Sequence, residues 1–158
     1  MTLLGWFHTV LGVGALLSGF YTIFKYKFIS LEEVSGKLYI LLTIIVAGSA
    51  LGIYNQGGFG IAHILAVLTL IAIAGGIIME KLKLFGAFSK YFQALGYTST
   101  LLFHMIPAIT DFLRRLPTED PFADSFNDPL IVNFHIAFVS IYLLGMTAQI
   151  FWLKRHVS

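Results

Sequence analysis

Long apolar runs alternate with short polar breaks along almost the whole chain. About 20 consecutive apolar residues are enough for a helix to cross the hydrocarbon core of a bilayer. Residues 3–24 form such a run, broken only by His8, Thr9, Ser18 and a few glycines. Residues 38–54 form a second, shorter but strongly apolar. Residues 59–79 form a third, ending at Glu80 and Lys81, and 129–152 the last, stopped by Lys154, Arg155 and His156. Residues 92–113 are borderline, because they carry Gln93, Thr98, Ser99, Thr100, His104 and Pro107. Trp6, Tyr26, Tyr54 and Trp152 fall near run ends, where interfacial aromatics sit. The pattern predicts an all-α polytopic membrane helix bundle, a single domain over residues 1–158.

Charge settles the borderline run. With five spans and the N-terminus outside, the inner segments hold Lys25, Lys27, Lys37, Lys81, Lys83, Lys90, Lys154 and Arg155. The outer segments hold only Arg114 and Arg115, together with Asp111, Glu119, Asp120, Asp124 and Asp128. Basic residues gather on the cytoplasmic side of membrane proteins, so the expected topology is five transmembrane helices, N-out and C-in. A four-span chain with the C-terminus inside would put Lys25, Lys27 and Lys37 on the wrong side. Residues 1–24 lack a basic leader and a small-residue cleavage site, which marks them as a retained span rather than a signal peptide. The Asn-Gln-Gly-Gly stretch at 55–58 reads as a tight outer turn, and 84–90 as a segment along the inner interface. The only sizeable loop, 114–128, is acidic and carries Pro117 and Pro121, with Pro129 just beyond.

Composition narrows the function classes. The chain is 58% hydrophobic and 11% charged, against about a quarter charged in soluble domains. A net charge of +2 with no basic face gives no nucleic-acid partner. The absence of cysteine removes disulfides, iron–sulfur clusters and thiolate metal sites. No phosphate-binding glycine loop or nucleophile–histidine spacing supports transferase or hydrolase chemistry.

Four histidines remain to be explained, because ionisable groups are expensive in hydrocarbon and mark functional sites. The first, third and fifth spans start outside, which puts His8, His63 and His135 about 8, 6 and 9 Å below the outer edge. The outward-running fourth span puts His104 about 13 Å below it. Imidazole ligates iron, copper or zinc through a neutral nitrogen. A haem b needs two such ligands, and the similar depths of His63 and His135 make them the first choice. His8 and His104 are the second choice, or hydrogen-bonding partners. Arg114 and Arg115 are placed to anchor haem propionates, or simply to end the fourth span in solvent. A non-haem centre would use three or four of the histidines, with Asp111 about two turns beyond His104 as a further donor. Each histidine also has a structural reading, as a partly hydrated or hydrogen-bonded residue. His156 lies in the basic tail and reads as topogenic charge.

Other polar residues are less specific. Thr22, Thr43, Thr69, Ser140 and Thr147 are expected to bond their own helix backbones. Gln149 sits within snorkelling reach of the inner interface, and Pro107 predicts a kink. Gly48 and Gly52 form a small-xxx-small pattern that suits close helix packing, or room for a flat cofactor. Gly5 and Gly12 flank His8 with the same two readings.

Several short motifs resemble a family of small bacterial integral-membrane proteins of unknown function. They are His8-Thr-Val-Leu-Gly12, Gly19, Gly36-Lys37-Leu38-Tyr39, Phe59-Gly60-x-x-His63 and Arg114-Arg115-Leu116-Pro117. The likeness spans most of the chain. The family's histidine-arginine pair before the glycine–basic–x–tyrosine element is absent here, where Leu31-Glu32-Glu33-Val34-Ser35 stands. The resemblance implies a protein of the bacterial cytoplasmic membrane with histidines at span starts, and no established activity. In architecture the chain also resembles the membrane cytochromes b.

Three functional expectations follow. The first is a small redox protein binding haem b or a transition metal (Fe, Cu or Zn) in its outer half, passing electrons between a membrane quinol and an outer-face acceptor. The second is a non-catalytic accessory or assembly subunit of a larger membrane complex or homo-oligomer. The third is a metal-ion or proton transporter, which the lack of a histidine in the inner half leaves with an incomplete relay.

Overall fold

A computed structural model describes residues 2–54 and 58–156. Its regular structure is helical: α1 (Leu3–Tyr26), α2 (Val34–Ala50), α3 (Ile61–Leu82), α4 (Ser89–Arg115) and α5 (Pro129–His156), with a single 3-10 turn at Gly86–Phe88 before α4. No strand occurs among the described residues. Local chemistry sets the boundaries. Thr2 caps α1 by accepting from the Gly5 N–H at 3.1 Å, and Asp128 accepts from the Leu130 N–H at 2.9 Å at the start of α5. Lys27 and Lys83 end α1 and α3 in left-handed conformations. The second span is displaced from 38–54 to Val34–Ala50, and the 55–58 turn, apart from Gly58, lies outside the described residues. Pro107 sits within an α4 that continues to Arg115.

Three helices, α1, α3 and α5, are long and apolar enough to cross a membrane. The other two depart for different reasons. α2 has 17 residues, and α4 buries polar residues such as Gln93, Thr98 and Thr100 that lower its hydropathy. Along the chain each helix packs on the next, and α1 also touches α4. The first four helices therefore close into a ring, and α5 leans on the outside of α4. Alternating directions bring the His8, His63, His104 and His135 positions to one end of the bundle. The eight basic residues assigned inside gather at the other.

The core explains why α4 is central. Tyr39 and Tyr97 are fully buried among Ala15, Ile29, Ile40, Ile73 and Leu101. The Tyr97 ring occupies the space a side chain at Gly76 would need, so only glycine lets α3 and α4 meet there. Gly96 repeats the device, because a Cβ there would stand 2.7 Å from the Ala72 carbonyl oxygen. The Gly48–Gly52 pattern does no such work: a Cβ at Gly48 would meet nothing within 4 Å. A second small core, Leu113, Ala123 and Ile131, folds the 116–128 loop back on the histidine end. Backbone bonds from Phe122 to Leu116 (3.1 Å) and from Ala123 to Leu113 (3.1 Å) fix that loop.

Candidate functional site

The four histidines share one end but have different neighbours, and their hydrogen bonds decide which nitrogen holds the proton. Ser49 on α2 donates to the Val46 carbonyl at 2.9 Å. Its oxygen must then accept from His8 Nδ1, 3.0 Å away, which leaves a lone pair on His8 Nε2. Thr110 on α4 likewise donates to the Ile106 carbonyl at 2.8 Å. His135 Nε2 must therefore be the donor in its 2.9 Å bond to Thr110, and Nδ1 holds the lone pair. His63 is the reverse of His8. Its Nδ1 accepts from the Gly60 N–H at 3.1 Å, closing the start of α3, so its Nε2 carries the proton. Both of its nitrogens are then unsuited to ligation, one engaged and the other protonated.

Packing sorts the histidines in the same way. His63 is 5% exposed and stacks between Tyr54, at 4.7 Å between ring centroids, and Phe59, at 5.1 Å. His135 belongs to α5, which packs on α4 and not on α3. His8 and His104, by contrast, belong to α1 and α4, which touch one another directly. Geometry thus favours His8 with His104 over the pair His63 and His135. Among the described residues no group of three or more His, Asp or Glu is arranged to hold a metal ion. A zinc-type centre with three protein ligands finds no support in that arrangement, whereas a group needing two imidazoles is compatible with it.

The arginines are occupied. Arg115 pairs with Asp111 at 3.1 Å, one turn back on α4 and largely exposed. Arg114 lays its guanidinium 3.8 Å from the Phe126 ring centroid, and its buried Nε has no hydrogen-bond partner. His156 is the last helical residue of α5, stacked on Trp152 at 4.6 Å with Nδ1 2.9 Å from the Trp152 carbonyl oxygen.

The densest polar network lies at the opposite end, where sequence reasoning saw only stop signals. Glu80 accepts from Ser30 Oγ and the Leu31 N–H, both at 2.7 Å, and from Tyr97 Oη at 2.8 Å. Gln93 donates to the Ile29 carbonyl at 3.0 Å and Gln149 to the Lys27 carbonyl at 2.8 Å, while Gln149 also accepts from Thr98. Three helices thus hold the α1–α2 connection by its backbone. Gln149 is buried and bonded rather than snorkelling. Thr22, Thr69, Ser140 and Thr147 bond the carbonyl four residues back, as expected, but the buried Thr43 hydroxyl has no partner. The signal that pointed to this network was the polarity of α4 itself.

The chain matches no protein-family model, no curated protein and no solved structure.

Proposed function

We propose that this is a five-span integral-membrane protein, N-out and C-in, of the bacterial cytoplasmic membrane. In this reading it is a small redox protein that uses His8 and His104 as the two imidazole ligands of a haem b near the outer face. The observation that carries the proposal is the relay from His8 Nδ1 through Ser49 to the Val46 carbonyl. Metal-ligating histidines usually give their second N–H to such a partner, which fixes the tautomer and the ring plane. His104 supplies the second ring from α4, which touches α1 across the bundle. A bound haem would supply one-electron transfer between a membrane quinol and an outer-face acceptor. Within the chain, Ser49 orients His8, and the apolar residues around both rings limit water. The short motifs shared with small bacterial membrane proteins agree with the localisation.

The test is an oxidised and dithionite-reduced absorption spectrum of the detergent-purified protein, with elemental analysis of the same sample. A Soret band with sharpened α and β bands on reduction is expected. A colourless, metal-free protein from cells supplied with haem would sink the proposal.

A second reading, an accessory or assembly subunit, draws on α5. That helix packs chiefly on α4 and leaves Ile136, Ile141, Leu143, Leu144 and Phe151 uncovered. Lipid covers such a face in a monomer, and a partner helix covers it in a complex. Copurification of a stoichiometric membrane partner in mild detergent would favour this reading.

A further inference from the structure

Buried N–H donors nearly always find an acceptor, and one without an acceptor calls for an explanation. His63 is such a case. Its ring is 5% exposed, its Nδ1 is committed to the Gly60 N–H at 3.1 Å, and its Nε2 is buried with no hydrogen-bond partner among the described residues. Packing cannot relieve it by rotation. The Gly60 bond fixes one edge of the ring, and Tyr54 and Phe59 stack on it at interplanar angles of 31° and 27°. The donor is fixed beneath the surface at the start of α3, where a ligand reaches it by displacing the side chains that cover it.

The surroundings define what it would meet. Tyr54 and Phe59 are themselves largely exposed, and Ile61 and Ile64 continue an apolar surface from them along α3. A Cβ at Gly58 or Gly60 would meet nothing within 4 Å, so space remains beside the stack. The arginines of this end are elsewhere engaged, Arg115 with Asp111 and Arg114 with Phe126. A phosphate or carboxylate would therefore find no free cation among them. What fits is neutral, planar and lipid-soluble, with a ring to lie against aromatic faces and a carbonyl oxygen to accept one hydrogen bond.

We infer that the start of α3 is a binding site for a quinone headgroup, whose carbonyl oxygen accepts the hydrogen bond that His63 Nε2 makes to no atom of the described residues. The inference rests on the membrane placement and the quinol partner proposed above, but needs no haem. It makes His63 a quinone donor and leaves ligation to His8 and His104.

The test is a titration of the full chain in lipid nanodiscs with decylubiquinone, against empty discs, with the histidine ring nitrogens labelled with 15N. Saturable binding above the empty-disc background is expected, with a shift of the His63 Nε2–H resonance that saturates in step. His63→Phe keeps the stacked ring but removes the donor, and should weaken binding by about tenfold. His63→Gln restores an N–H and should recover part of the loss. Linear partitioning with no shift of the Nε2–H resonance overturns the site, and so does unchanged affinity in His63→Phe. The wild-type resonance decides the matter even if His63→Phe does not fold. A colourless protein that binds decylubiquinone supports this site while sinking the haem proposal, and a haem-bearing protein that does not bind it does the opposite.

Discussion

Tyr97 of α4 and Glu80 of α3 are joined by a 2.8 Å hydrogen bond, with the tyrosine ring lying on Gly76 one turn below the carboxylate. The same carboxylate takes Ser30 Oγ and the Leu31 N–H at 2.7 Å each. One side chain thus ties α3 and α4 to the α1–α2 connection. Glu80→Ala strands three donors and should lower stability by about 3 kcal/mol, whereas Tyr97→Phe, which removes one bond, should cost about 1 kcal/mol. Thermal unfolding in detergent measures both. An unchanged midpoint for Glu80→Ala would show that the network is ornamental.

Gly75 and Gly76 are neighbours in the sequence and opposites in the fold. A Cβ at Gly76 would collide with the Tyr97 ring, while one at Gly75 would meet nothing within 4 Å. Gly76→Ala should therefore destabilise the protein by about 1–3 kcal/mol through overpacking. Gly75→Ala should be neutral or gain up to about 1 kcal/mol, because glycine in a helix interior is unfavourable relative to alanine. Combining Gly76→Ala with Tyr97→Leu should cost less than the two single changes together, since the collision disappears. Equal behaviour of the two glycine variants would contradict the α3–α4 packing described here.

Four of the helices were legible from apolar runs, since runs of this length have few alternatives as structure, whereas α4 needed the charge distribution as well. The placing of polar residues was not. Glu80 looked like the polar end of a span, because hydropathy registers a charge without its acceptor geometry. Gln149 looked free to snorkel, because its partners Thr98 and Lys27 are 51 and 122 residues away in sequence. The histidines stood out as costly in an apolar span, but depth along a helix says nothing of rotation about it. His63 and His135 matched in depth and still sit on helices that both pack on α4. His8 and His104, less matched, are on two helices that touch each other, α1 and α4. Their tautomers depended on Ser49 and Thr110, hydroxyls that no spacing rule connects to them.

Topology can be read directly, because the chain contains no cysteine and any introduced thiol is unique. Ser125 lies exposed in the loop after α4, and Lys154 lies exposed near the end of α5. In spheroplasts, a membrane-impermeant maleimide should label Ser125→Cys at once and Lys154→Cys only after lysis. The reverse order would invert the proposed orientation, and labelling of both in intact spheroplasts would remove a span.

His8 and Ser49 give the sharpest test of the redox proposal, because they separate ligation from orientation. His8→Ala removes a ligand and should abolish the low-spin haem spectrum. Ser49→Ala leaves the ligand in place but frees its Nδ1–H, so haem should still bind, with affinity reduced about 10–100-fold. His135→Ala, on the same account, should leave the spectrum intact, since the second ligand is assigned to His104 and His135 is engaged only with Thr110 on its neighbouring helix. A spectrum lost in His135→Ala and kept in His8→Ala would move the ligand to α5. Loss in both would make these the two ligands, and His104→Ala would then keep the spectrum. The pattern in which His8 and His104 are required, Ser49 is weakening and His135 is silent is the one the proposed pair of ligands demands.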